Sequence, residues 1–133
     1  FSDDGGLTWP KIMPTDISAS SSPCYMRRLA SGRLVMTWNR LYPEGADTYP
    51  RSGNDGYSIV MASWFREELS IAFSEDDGKS WSEPVVIAKG HSYNHQTAYP
   101  YIYERRPGEL WVSVTRGGAY PFVLMEEDFL KPE

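Results

Sequence analysis

Two acidic motifs carry the most specific spacing in this chain. Phe1-Ser2-Asp3-Asp4-Gly5-Gly6-Leu7-Thr8-Trp9 and Phe73-Ser74-Glu75-Asp76-Asp77-Gly78-Lys79-Ser80-Trp81 share the pattern F-S-x-D-x-G-x-[ST]-W. Ser2 and Ser74, like Trp9 and Trp81, stand 72 residues apart. A repeated acid invites a catalytic reading, but this spacing suits a tight turn. The carboxylate of Asp4 or Asp76 accepts hydrogen bonds from backbone N–H groups, as in an Asx turn. Gly6 or Gly78 supplies a positive φ. Thr8 or Ser80 returns a hydroxyl bond, and Trp9 or Trp81 lays an apolar face over a sheet edge. All ten positions are therefore assigned to scaffolding rather than to chemistry.

The remaining reactive side chains fall into three segments. Residues 41–67 hold Asp47, Arg51, Asp55, Trp64, Arg66 and Glu67. Residues 88–98 hold His91, Tyr93, Asn94, His95 and Gln96, and Arg116-Gly117-Gly118 forms a third charged tip. His91 and His95 are four apart, close to a metal-ligand spacing, but they sit beside Gly90 without an evident third ligand. Sugar contacts or a plain polar loop suit them better, and neither a metal nor another cofactor is implied. Cys24 is the single cysteine. It excludes an internal disulfide framework and a Cys-rich zinc site, and it reads as a small buried thiol.

The elements that must position these groups are strands. Eleven Gly and ten Pro interrupt the chain. Short alternating runs lie between them, among them 33–38, 69–73, 84–87, 99–103, 110–114 and 122–125. Their β-branched and aromatic content and the turn residues between them are strand signals. No window sustains a helical apolar stripe over three turns; the best helical candidate is a short piece at 61–68. The expected class is all-β.

A second echo reinforces the first. Ser31-Gly32-Arg33-Leu34 resembles Pro107-Gly108-Glu109-Leu110 at an offset of 76, and Ser22-Pro23 matches Tyr99-Pro100 at 77. The repeating unit is thus about four strands, which is a propeller blade. The phase places strands near 23–29, 33–40, 68–74 and 82–87, with three more within 98–126. Residues 1–20 are expected to end one blade, 21–90 to complete a second and 91–133 to begin a third. About two blades do not close a ring of roughly 4–8. The start at Phe1, inside a turn motif, reads as a piece of a longer frame. Open blade edges invite pairing, so self-association is expected, for instance three two-bladed chains closing a six-bladed ring. If the Asp turns join third to fourth strands, residues 14–22, 41–67, 88–98 and 115–120 lie at the opposite end. Segment 41–67 is far longer than a hairpin needs, and long loops in compact domains tend to be functional.

Composition bounds the partners. The chain has 133 residues, 13 Lys+Arg against 18 Asp+Glu, a net charge of −5 and 41 % hydrophobic residues. That supports a packed core rather than disorder. It argues against nucleic-acid and anionic-membrane partners. No apolar run approaches the ~20 residues that span a bilayer.

The repeated motif resembles the Asp box of the sialidase-like, BNR-repeat propellers. Ser21-Ser22-Pro23 leading into Gly32-Arg33-Leu34-Val35-Met36-Thr37-Trp38-Asn39 is similar to the S-P…G-x-L-x-x-x-W-N pattern of exo-sialidase-type members. The resemblance covers nearly the whole chain. It implies the C-terminal third of a six-bladed propeller, Asp boxes opposite the active site, a glycan substrate of sialoside type and an extracellular or periplasmic location. Sialidases clamp the substrate carboxylate with arginines, whose planar guanidinium matches it bidentately. They use a Tyr–Glu nucleophile pair with an Asp acid/base. On that basis Arg40, Arg66 and Arg116 are candidate carboxylate binders, with Asn94 and His95 as further substrate contacts. Asp47, Asp55 and Tyr99 are the catalytic candidates. Each also has a plain alternative: a solvated arginine, a flexible acidic loop, a core tyrosine. Two functions follow from different classes. One is part of an exo-acting glycoside hydrolase. The other is a non-catalytic propeller module for glycan binding or oligomeric assembly.

Overall fold

A computed structural model describes residues 2–53, 56–90, 96–115 and 119–130. The chain is all-β. Four strands form one antiparallel sheet, here sheet A, in the order β1-β2-β5-β6: β1 (Tyr25–Arg28), β2 (Leu34–Trp38), β5 (Glu68–Ser74) and β6 (Val85–Lys89). An antiparallel hairpin of β3 (Thr48–Gly53) and β4 (Gly56–Met61) is inserted between β2 and β5. Sheet C holds β7 (Ala98–Arg106), β8 (Glu109–Thr115) and β9 (Ala119–Met125), in that order. Two single-turn 3-10 segments, Ala62–Trp64 and Glu126–Phe129, complete the list of regular elements.

Period-two alternation explains why the sheets stack. Along β2 and β5, Val35, Leu69, Ile71 and Phe73 join one cluster while Met36, Trp38 and Ala72 join another. Successive side chains of a strand point to opposite faces, so sheet A is buried on both sides at its centre. The first face meets sheet C, whose contribution is Ile102, Leu110, Val112 and Val114. The second face carries Ile17 and Trp81 as partly buried cover. Sheet C is one-sided: Ile102, Leu110 and Val112 are fully buried, whereas Tyr101, Tyr103 and Trp111 are exposed. At the junction of the sheets the rings of Tyr25 (β1) and Tyr101 (β7) lie 4.8 Å apart.

Four features differ from the sequence expectation. Segment 41–67 was expected as a loop, yet it folds as the β3–β4 hairpin on a small core of its own. Phe65 holds Tyr42 at 4.8 Å and Tyr49 at 5.3 Å between ring centroids. The helical piece expected at 61–68 is only the turn Ala62–Trp64, because β5 already begins at Glu68. Among the described residues, 2–24 contain no strand. A ladder needs a partner edge, and this segment instead lies on sheet A: Trp38 Nε1 donates to Ser18 O at 3.0 Å and Ser20 N to Asn39 O at 2.8 Å. Cys24, expected to be buried, is exposed, since it precedes β1, the edge strand of sheet A.

Candidate functional site

The Asp turns define one end of the sheets. The second lies between β5 and β6, as the hairpin reading requires. Ser74 Oγ donates to Asp76 Oδ1 at 2.9 Å and accepts from Gly78 N at 2.9 Å. Ser80 N donates to Asp76 Oδ1 at 2.8 Å and its hydroxyl to Oδ2 at 2.6 Å. The first turn repeats this arrangement. Ser2 Oγ reaches Asp4 Oδ1 at 2.7 Å, Gly6 N reaches Ser2 Oγ at 2.8 Å, and Thr8 donates at 2.9 and 2.6 Å. Gly6 and Gly78 take φ of 91° and 83°. Three donors on each carboxylate favour its charged form. The hydroxyl of Thr8 or Ser80 is the largest cause, and both acids fall to a pKa of about 2. Acids so fully satisfied are turn locks. Trp81 and Trp9 lie 3.7 and 3.8 Å from where side chains on Gly78 and Gly6 would start, yet Trp9 is largely exposed.

Strand direction puts the other candidate segments at the far end. β2 runs away from the Asp turn and β5 returns to it. The opposite end therefore gathers residues 20–24, 39–47, the inserted hairpin, 62–67, Gly90 and 96–99. Asn39 and Thr97 tie it together. Asn39 is buried, and its Nδ2 donates to Glu68 O at 2.8 Å and Thr97 O at 2.7 Å. Thr97 N donates to Arg66 O at 2.8 Å, and Gly90 N donates to Glu67 O at 2.6 Å. Both flanks of the polar segment 91–95 are thus pinned to neighbouring residues of one strap. Ser21 N donates to Ser63 O at 2.7 Å from the other side.

Arg66 sits at the centre of these ties. Its backbone is fixed by Thr97, and its Nη2 donates to Ser21 O at 2.9 Å. Among the described residues Arg66 forms no ion pair. A half-buried guanidinium held by a carbonyl keeps donors for a carboxylate ligand. Beside it lies Tyr49, buried under the hairpin with its hydroxyl shielded from solvent. Burial raises the Tyr49 pKa most, and the charge of Glu67 raises it further, while Arg51 and Arg66 oppose both. Tyr49, Arg51, Arg66 and Glu67 therefore share one electrostatic neighbourhood.

The other sequence candidates are dispersed. Arg40 is half-buried in a separate groove of about 290 Å³, shared with Trp38, Glu44, Trp81 and Glu83. Asp47 is exposed at the foot of the hairpin, where its carbonyl accepts from Ala62 N at 2.8 Å. Tyr99 is exposed and has φ of 52°, a left-handed backbone that a non-glycine residue adopts only at a cost. Asp55, His91, Asn94, His95 and Arg116 lie outside the described residues. Among the described residues no three His, Cys, Asp or Glu side chains group as metal ligands. Among the described residues, no helix is long and apolar enough to cross a membrane. Sequence reasoning missed Tyr49 and Asn39. Tyr49 is buried by a hairpin that was read as loop, and Asn39 was legible only as the end of the W-N pattern.

Antiparallel sheets of three and four strands, stacked face to face and turned by Ser-x-Asp-x-Gly locks, define an all-β protein of propeller type. Within that class the chain belongs to the BNR repeat-like domain family, whose family model matches residues 1–112. The match runs from the first Asp turn into β8. No curated protein and no solved structure matches the chain.

Proposed function

We propose that the end of the sheets opposite the Asp turns binds acidic glycan ends, as part of a sialidase-like exo-glycosidase. The observation that carries this is the placement of Arg66, held by Ser21 and Thr97, next to Tyr49, Arg51 and Glu67. A guanidinium with donors in hand suits the carboxylate of a sialoside. A tyrosine whose hydroxyl feels a neighbouring glutamate is the kind of pair that retaining sialidases use as nucleophile. No metal or other cofactor is needed for such chemistry.

A specific observation favours the second reading, glycan binding without turnover. Asp47 is exposed and Tyr49 is covered, so neither is poised in the way an acid and a nucleophile require. The two readings share Arg66 and divide on turnover. Free sialic acid titrated by calorimetry is expected to bind the protein, and Arg66→Ala to weaken it by about tenfold or more, the size of a lost charged hydrogen bond. A neutral hexose should not respond to the substitution. Unchanged affinity in Arg66→Ala would remove the site. Turnover of a fluorogenic sialoside by the same preparation selects the hydrolase, and binding without turnover selects the module.

A further inference from the structure

Both ends of Arg66 lead back to one buried side chain, Asn39. Asn39 stands one residue past β2 and is 1 % exposed. Its Nδ2 donates to Thr97 O at 2.7 Å. Thr97, itself fully buried, donates to Arg66 O from its N–H at 2.8 Å and from its hydroxyl at 3.2 Å. At the other end, Arg66 Nη2 donates to Ser21 O at 2.9 Å, and the preceding residue, Ser20, donates from its N–H to Asn39 O at 2.8 Å. The hydrogen bonds thus close a circuit that runs Asn39, Thr97, Arg66, Ser21, Ser20 and back to Asn39. A second bond from Nδ2, 2.8 Å to Glu68 O, braces the same segment just beyond Arg66. Thr97 precedes β7 of sheet C and Glu68 opens β5 of sheet A, so one amide joins both sheets around the arginine.

Two observations say that this side chain serves position rather than packing. The first is its unused half. Both partners of Nδ2 are carbonyl oxygens, so the amide nitrogen has to face them, and Oδ1 is left buried with no partner among the described residues. A buried acceptor without a donor is destabilising. Packing alone therefore does not account for an amide here; holding the two carbonyls does. The second observation is the backbone just past Thr97. Ala98 is buried, and Tyr99 takes φ of 52° although it is aromatic. It also precedes Pro100, which favours extended backbone before it. The β7–β8 register shifts between Ala98 and Tyr101. Strained backbone persists where its surroundings over-determine it. On one side that is the β7–β8 ladder. On the other it is Thr97, whose N–H, hydroxyl and carbonyl are all engaged. Thr97 is held against the preference of its own chain.

We propose that Asn39 is a positioning residue: it touches no ligand and sets the guanidinium of Arg66 for the carboxylate of a glycan end. The inference rests on Arg66 being the carboxylate binder. Arg66 lies outside every strand, so its place depends on these bonds rather than on a ladder. With the Nδ2 bonds removed, the circuit opens between Asn39 and Thr97. The donors of Arg66 then spread over more orientations than the one that a bidentate pair with a carboxylate needs.

Calorimetry with free sialic acid tests this as a double-substitution cycle. Asn39→Ala is expected to weaken binding about tenfold where Arg66 is present and to add little in the Arg66→Ala background, because residues acting through one contact are not additive. Circular dichroism should show the same β-sheet content in every variant. Thr97→Val replaces Asn39→Ala if the latter does not fold. It removes only the hydroxyl bond to Arg66 O, and Thr97→Ser should then restore affinity. Equal losses in both backgrounds, or wild-type affinity in Asn39→Ala, would overturn the proposal. A wild-type chain that fails to bind sialic acid would instead overturn the reading of Arg66 as a carboxylate binder. Positioning is then decided without a ligand, by heteronuclear relaxation of the Arg66 Nε–H. A signal ordered in the wild type and mobile in Asn39→Ala supports the role of Asn39, and an unchanged signal removes it.

Discussion

Asp4 and Asp76 are held by the same three donors in two unlike settings, one in a paired hairpin and one outside any ladder. The turn is therefore encoded within its own eight residues. That locality is why it was legible: every partner is within four positions, so spacing alone specifies the geometry. Tyr49 is the contrary case, since its burial depends on residues up to 16 positions away, among them Phe65. The depressed acids make the turns pH-dependent. A folded pKa of about 2 against an ordinary 3.8 means their stabilisation is complete above pH 3.8. It is lost as pH falls through about 2. Asp76→Asn should therefore lower the urea midpoint at neutral pH. The gap between variant and wild type should narrow steadily below pH 3.8. A gap independent of pH would mean that the Asp76 charge contributes nothing to the turn.

At the scale of elements, the two central strands of sheet A were readable because both of their faces are apolar or small. Val35-Met36-Thr37-Trp38 and Leu69-Ser70-Ile71-Ala72-Phe73 mark the two strands; β5 falls on its expected bounds, and β2 is shorter at both ends than the expected 33–40. The β3–β4 hairpin was not readable in the same way. Pro50 interrupts its first strand, and a proline is confined to edges and bulges of sheets. Asn54-Asp55-Gly56 in the sequence is a hairpin signal that the length of the segment obscured. The hairpin is anchored by Phe65 through Tyr42 and Tyr49 rather than by either large sheet. Phe65→Ala should remove that anchor at a cost of about 3–5 kcal/mol to the local unit. Hydrogen exchange should then quicken for Tyr49 and Val60 while Ile71 stays protected. Equal loss of protection in both places would show that the hairpin and sheet A open together.

Across the whole molecule, sheets A and C share a core and several polar ties. Glu126 follows β9 and is buried at the Asp-turn end, where it accepts from Ser31 Oγ at 2.6 Å and lies 3.4 Å from Arg33 Nη1. Glu104 adds a second tie, accepting from Ala30 N at 2.9 Å and Gly108 N at 3.1 Å. Ser31 and Glu126 are 95 residues apart in sequence, which is why spacing could not reveal the pair. Of the two ion pairs, Arg28–Asp77 at 2.7 Å is shorter than Arg33–Glu126, but both of its side chains are more than half exposed. Distance alone would rank the exposed pair first; burial reverses the order. An exposed pair contributes about 0–1 kcal/mol. Removing a buried charged acceptor costs about 1.5–3 kcal/mol. Asp77→Asn, which removes the charge while asparagine tolerates the left-handed φ of 61° at this position, should therefore leave the urea midpoint nearly unchanged, and Glu126→Ala should lower it clearly. The unfolding curve of Glu126→Ala, followed by tryptophan fluorescence and circular dichroism, should remain a single transition, because Ile102, Leu110 and Val112 still bind sheet C to Val35, Leu69 and Ile71. Separate transitions by the two probes would mean that the Glu126 tie, not the apolar interface, makes the two sheets one cooperative unit.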